Sequence, residues 1–152
     1  MEIRVEKRVI EVEDKIYIAE DGKEFGTQAD CMKYEEELQD EKNNAEAEKL
    51  EMKEFERMYP LDCDGQYIND NHNFTWYKVN NEEEFETVKK VYGSDDWGCI
   101  ESYPEIICVE YENYWGKDAW LHLLSDMKNA TVYFWKRHGF DVEFKERAKD
   151  EI

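Results

Sequence analysis

The chain is short of positive charge: 20 lysines and arginines stand against 39 acids, a formal net charge of −19 over 152 residues. Such a balance repels phosphate backbones and anionic lipid, so it argues against direct binding to nucleic acid or to a membrane surface. No apolar run approaches the roughly 20 residues of a membrane span. Met1 leads straight into EIRVEKRVIEVE without an apolar leader, which predicts a cytoplasmic protein. None of the four cysteines (Cys31, Cys63, Cys99, Cys108) falls in a CxxC pair, so a zinc ribbon or thioredoxin-type motif is excluded and free thiols are expected. GxSxG, HExxH, P-loop and GxGxxG patterns are absent, which removes the commonest hydrolase, zincin and nucleotide-binding signatures. No cofactor is implied.

What is present is aromatic and acidic. Aromatic residues make up 14% and apolar residues 41% of the chain, enough to build a core. IRVEKRVIEV (3–12) mixes β-branched residues with charges and predicts a strand. KIYIA (15–19) predicts a second strand. Asp21-Gly22 predicts a hairpin turn before KEF (23–25). Thr27 is then placed to cap a helix over about 28–58, with Asp30 at its positive end and Pro60 beyond it. Cys31, Tyr34, Leu38, Ala45, Met52, Phe55 and Tyr59 form an apolar stripe on that helix, broken by Glu41 and Glu48. Asn43-Asn44 marks a weak point within it.

The stretch YEEELQDEKNNAEAEKLEMKEFERMYP (34–60) carries ten acids against four bases. The helical period places Glu36, Asp40, Glu51 and Glu54 on a ridge, and Lys42, Lys49, Lys53 and Arg57 on a separate edge. Two readings of this ridge compete. It can be a solvated face that serves solubility, or a surface for a basic partner.

Residues 61–73 are turn formers. FTWYKV (74–79) predicts a strand. Asn80-Asn81 caps a helix, EEEFETVKKVY, that Gly93 ends. EIICVEYE (105–112) predicts a strand, Asp118 caps a helix over 119–138, Gly139 stops it, and FDVEF (140–144) predicts a last strand. The expected fold is therefore α+β: an N-terminal β-hairpin and long acidic helix (1–59), followed by a small α/β sandwich in β-α-β-α-β order (60–152).

Asp62, Asp64, Asp70 and His72 supply oxygen and nitrogen donors for a divalent cation, but their spacing is not that of an EF-hand, and an Asx-rich turn is the favoured reading. His122 reads as a core histidine, and His138 as a cation at a helix C-terminus. Cys31, near a helix N-terminus, is either a thiol of lowered pKa or a buried packing residue. Tyr111, Tyr114, Trp115 and Trp120 are either core or a partner-facing patch. Asp95-Asp96-Trp97 pairs acids with an aromatic anchor.

Tyr17, Asp21, Gly22, Phe25, Thr27, Cys31, Tyr34 and Glu35, within KIYIAEDGKEFGTQADCMKYEEEL (15–38), resemble the opening of small acidic proteins from phages and prophages of Gram-positive bacteria. That resemblance, which covers about a sixth of the chain, implies a non-enzymatic inhibitor of host defence of the anti-CRISPR type. Its partner would be a basic nucleic-acid-handling host protein, such as a nuclease or CRISPR effector, held in a nucleic-acid-like manner. The contact residues expected on this reading are Glu36, Asp40, Glu41, Glu48, Glu51 and Glu54, with Asp95, Asp96 and Trp97 as a second contact. The alternative is an assembly protein that forms a homodimer through the long helix. An enzyme using a metal at Asp62, Asp64, Asp70 and His72 is the third expectation.

Overall fold

The computed structural model describes residues 1–55, 60, 72–112 and 118–148, and its fold is α+β, with three helices and two antiparallel sheets among those residues. Contacts divide the chain into two units, residues 1–41 and 42–152. The boundary falls inside the helix α1, Gln28–Glu48.

In the first unit, β1 (Tyr17–Ile18) pairs antiparallel with β2 (Glu24–Phe25) across the Asp-Gly turn. Gly22 takes φ +89°, which an L side chain rarely adopts, and the Asp21 carboxylate accepts the Lys23 N–H at 3.1 Å. Thr27 Oγ1 accepts the Asp30 N–H at 3.2 Å, so the expected cap is made. The Tyr34 hydroxyl donates to Asp21 at 2.7 Å, the Phe25 and Tyr34 rings lie 5.1 Å apart, and Lys23 Nζ sits 4.1 Å over the Tyr34 ring. These contacts fasten the hairpin to the helix. The strand expected over 3–12 does not form: residues 1–16 carry no regular structure, and Ile3, Val5, Val9, Ile10 and Val12 are exposed. A β-prone segment becomes a strand only where a neighbour supplies hydrogen-bonding groups, and no described residue does so here.

In the second unit the helix ends earlier than its charge pattern suggested. Glu46 and Glu48 occupy its final turn with no basic residue there, so its carbonyl end is not favoured by charge. The chain then lies along β3 (Asn73–Val79): the Met52 N–H donates to the Trp76 carbonyl at 2.8 Å, and the Lys78 N–H to the Leu50 carbonyl at 3.0 Å. A 3₁₀ turn, Lys53–Phe55, comes next. The helix runs unbroken through Asn43-Asn44.

β3 pairs with β4 (Glu105–Tyr111), and β4 with β5 (Ala119–Leu123), all antiparallel, in the order β3-β4-β5. One sheet face presents Tyr77, Val79, Ile107, Val109 and Leu121 to Phe85 and Val88 of α2 (Glu82–Tyr92), and this is the main core, which Ala47 also joins. Asn81 accepts the Glu84 N–H at 2.9 Å, and Gly93 closes α2 in the left-handed conformation, as their positions predicted. The other face carries Trp76, Cys108, Glu110, Trp120 and His122.

The expected order changes at the end. Residues 119–138 are not one helix: β5 comes first, and α3 spans Leu124–Arg137, so Asp118 precedes a strand rather than capping a helix. FDVEF is not a strand, and the sequence of elements is β-α-β-β-α. His138 Nδ1 lies 2.8 Å from the Phe134 carbonyl, so the ring meets the carbonyl end of α3. No residue of α3 is fully buried, and Tyr133, Phe134 and Trp135 are exposed.

Candidate functional site

The acids proposed as a contact surface do not share one helical face. Glu36, Asp40 and Glu41 are exposed on α1 and make no ion pair with a described residue. Glu48 is exposed at the end of the helix, 3.4 Å from Lys53. Glu51 lies beyond the helix, half-buried, in a bridge opposite Tyr77, and Glu54 is exposed in the 3₁₀ turn. The ridge built from Glu36, Asp40, Glu51 and Glu54 therefore ends with the helix, because the last two take a different backbone course. Lys49 is spent on Glu46 at 2.7 Å, a local pair within the same turn.

Asp95 and Asp96 are exposed in the loop after α2. Trp97 is half-buried and works inward. Its indole N–H donates to the Ala119 carbonyl at 3.0 Å, and its ring lies 5.9 Å from Tyr92 and 6.4 Å from Phe85. Cys31 is buried, and its thiol pKa is raised by that burial and by the nearby Glu35 and Asp21, so the packing reading holds and an activated thiolate does not. Cys108 is buried too, and desolvation pushes its thiol up. Of the aromatic group, Tyr111 packs against the core and Trp120 is exposed, whereas Tyr114 and Trp115 lie outside the described residues.

The tightest polar arrangement was not anticipated. Glu110, only 4% exposed, offers one carboxylate oxygen to His72 Nδ1 at 2.6 Å and the other to His122 Nε2 at 2.7 Å. His72 Nε2 meets Glu112 Oε1 at 2.9 Å, and the Trp120 ring stacks on the His72 ring at 5.3 Å with planes 4° apart. The sheet creates this cluster. Glu110 and Trp120 are cross-strand partners, His122 faces Cys108 one step along, and His72 immediately precedes β3. Carboxylate oxygens at both ring nitrogens favour the imidazolium form of His72, in which both nitrogens donate. Its pKa is raised, chiefly by the hydrogen bond to Glu110, against an opposing effect of burial.

The same distances are those of direct hydrogen bonds. A tetrahedral ion with about 2 Å to each ligand atom would hold nitrogen and oxygen farther apart than the distances seen. Among the described residues no group of three or more His, Cys, Asp or Glu is placed to hold a metal ion. Asp62, Asp64 and Asp70 lie outside the described residues, so only His72 of that expected set is placed, and its described partners are Glu110 and Glu112. Carboxylate oxygens at both ring nitrogens favour the protonated ring of His72.

This fixes the sign of a pH effect. A histidine whose pKa rises on folding contributes stability that is fully present below its unfolded value of about 6.5 and is lost as pH climbs through the folded value. Unfolding free energies from urea titrations are expected to decline from pH 6 upward across that interval. The difference between the parent protein and His72→Gln should shrink over the same interval, and a difference that stays constant with pH would refute the assignment.

No helix among the described residues is long and apolar enough to cross a membrane. No protein-family model matches the chain, and no curated protein or solved structure gives a significant match.

Proposed function

We propose that the protein is a non-enzymatic, phage-type inhibitor that binds a basic nucleic-acid-handling protein in the host cytoplasm, such as a CRISPR effector, and occupies a surface that otherwise holds nucleic acid. The observation that carries this reading is the charge placement on α1. Its 21 residues include eight acids and two lysines, with Glu46 and Glu48 at the end where the helix dipole disfavours negative charge. In α2 the same chain obeys the dipole, with Glu82, Glu83 and Glu84 first and Lys89 and Lys90 last. Helix stability therefore explains the charges of α2 but not those of α1, and a departure from a local rule is where a binding role is sought.

Self-association through α1, the other reading, has less to draw on. Cys31 is buried and Tyr34 and Leu38 are half-buried within the first unit, Ala47 is buried within the second, and the exposed Ala45 offers little area.

The test is a pull-down from a Gram-positive host lysate with tagged protein, at low and high salt, with nucleic acid as competitor. A basic protein recovered at low salt and released by salt and by nucleic acid is the expected result. Neutralising the three unpaired acids together (Glu36→Gln, Asp40→Asn, Glu41→Gln) is expected to weaken that capture about tenfold, the sum of three exposed pairs at up to about 0.5 kcal/mol each. A partner indifferent to salt and to nucleic acid would sink the proposal.

A further inference from the structure

The geometry points to a second binding surface: the outer edge of β5, which we infer takes an extended basic peptide segment as an added β-strand. The alternation of backbone groups establishes which side of β5 is open. Trp76 and Lys78 of β3 bond outward to residues 50–52, so Asn73, Thr75, Tyr77 and Val79 are the residues of β3 that bond to β4. On β4 their partners are Tyr111, Val109, Ile107 and Glu105, which leaves Cys108 and Glu110 to bond toward β5, where they face His122 and Trp120. The N–H and C=O groups of Ala119, Leu121 and Leu123 consequently point away from the sheet. The indole of Trp97 reaching the Ala119 carbonyl agrees with that direction. No described residue hydrogen-bonds to the N–H or C=O of Leu121.

A groove of about 690 Å³ runs along this edge, between β5 and the loop after α2. All five residues of β5 border it. Side chains of a strand alternate between faces, so consecutive residues can border one groove only through the backbone edge. An unpaired edge is a template for another strand, and natural sheets usually blunt it with lysine, proline or a bulge. AWLHL has none of the first two and pairs in continuous register with β4.

Charge selects the occupant. Asp118 precedes the strand, Asp126 lies in the first turn of α3 after it, and Asp96 stands on the opposite bank; all three line the groove and are exposed. Strand addition supplies affinity through the main chain and specificity through alternate side chains. Here carboxylates at both ends of a roughly 17 Å edge would meet lysines or arginines near the ends of a five-residue segment. This inference rests on the reading of the protein as a binder of basic proteins, and it assigns a contact to residues other than the acids of α1.

The probe is the capped peptide acetyl-Lys-Val-Arg-Val-Lys-amide, titrated calorimetrically into the full chain. Two N-methylated versions, one modified at its third residue and one at its second and fourth, remove N–H groups on opposite sides of the peptide strand. One of them is expected to bind at least tenfold more weakly and the other like the parent, and the Leu121 amide should exchange at least tenfold more slowly in the complex. The variant Asp118→Asn with Asp126→Asn should lose affinity severalfold with unchanged thermal unfolding. Equal affinity for all three peptides, or for a glutamate-substituted peptide, would overturn strand addition. A dimer that dissociates on deletion of residues 2–16 and excludes the peptide would overturn the choice of occupant in favour of a second copy. The triple variant on α1 separates this inference from the functional reading. If no peptide binds but α1-dependent capture persists, the groove assignment fails alone. Peptide binding with no basic partner recovered from lysate would instead leave the groove standing and remove the inhibitor.

Discussion

Replacing Glu110 with alanine is expected to cost about 3–5 kcal/mol of stability, measured as a shift in the urea midpoint, because it strands a cation inside the sheet's second face. Both oxygens of this carboxylate are committed, to His72 and to His122, and its side chain is almost wholly shielded from water. Without it His72 loses its shorter carboxylate contact, and the contact with Glu112 that remains involves a side chain 49% exposed and therefore strongly screened. The loss should be markedly non-additive with His72. Once His72 is leucine, the carboxylate has lost one of its two partners, and removing Glu110 as well relieves rather than adds to the imbalance. A double-mutant cycle is expected to return a coupling of about 1–3 kcal/mol between the two positions. Additive losses would mean that the pair does not act as a charge-compensated unit.

The second large effect is expected at Phe85. Its side chain is fully buried in α2, beside Val79, Val88, Ile107 and Val109, and its ring lies 6.4 Å from that of Trp97. Phe85→Ala should cost about 3–5 kcal/mol, combining lost burial with the cavity left behind. The lost ring also supports Trp97, which ties the loop after α2 to Ala119. The variant should therefore lose near-ultraviolet circular dichroism from tryptophan beyond what global destabilisation produces, when compared with Val88→Ala at matched fractions folded. A variant that unfolds within about 1 kcal/mol of the parent would show that the cavity collapses without penalty.

Local chemistry was legible in the sequence, and non-local pairing was not. The Asp21-Gly22 turn, the Thr27 and Asn81 caps and the Gly93 stop each depend on a few neighbouring residues, and each stands where its residue type required. Residues 119–138 misled because AWLHL is apolar enough to extend the helical period of residues 124–137 backward, and only pairing with β4 makes it a strand. The end of α1 misled for the same reason, since the edge of β3 captures residues 50–52 from a helix that its local sequence would continue. At the candidate site, the exposure of Glu36, Asp40 and Glu41 is set by the helical period. The inward use of Trp97 and the His72–Glu110–His122 cluster are not, because their partners lie 22, 38 and 12 residues away. No spacing rule links residues that meet only across a sheet.

Tyr17, Asp21, Gly22, Phe25, Thr27, Cys31, Tyr34 and Glu35 are mostly the parts of one fastening. Asp21 and Tyr34 bond, Phe25 and Tyr34 pack, Thr27 caps, Glu35 takes the Glu20 N–H at 3.0 Å, and Cys31 is buried. All of them lie within one stretch of the first unit, so the fastening is complete without any residue beyond it. Residues 15–38 thus work as a latch within the first unit: loosening the Asp21–Tyr34 bond or the Phe25–Tyr34 packing would free the hairpin from the helix it is fastened to.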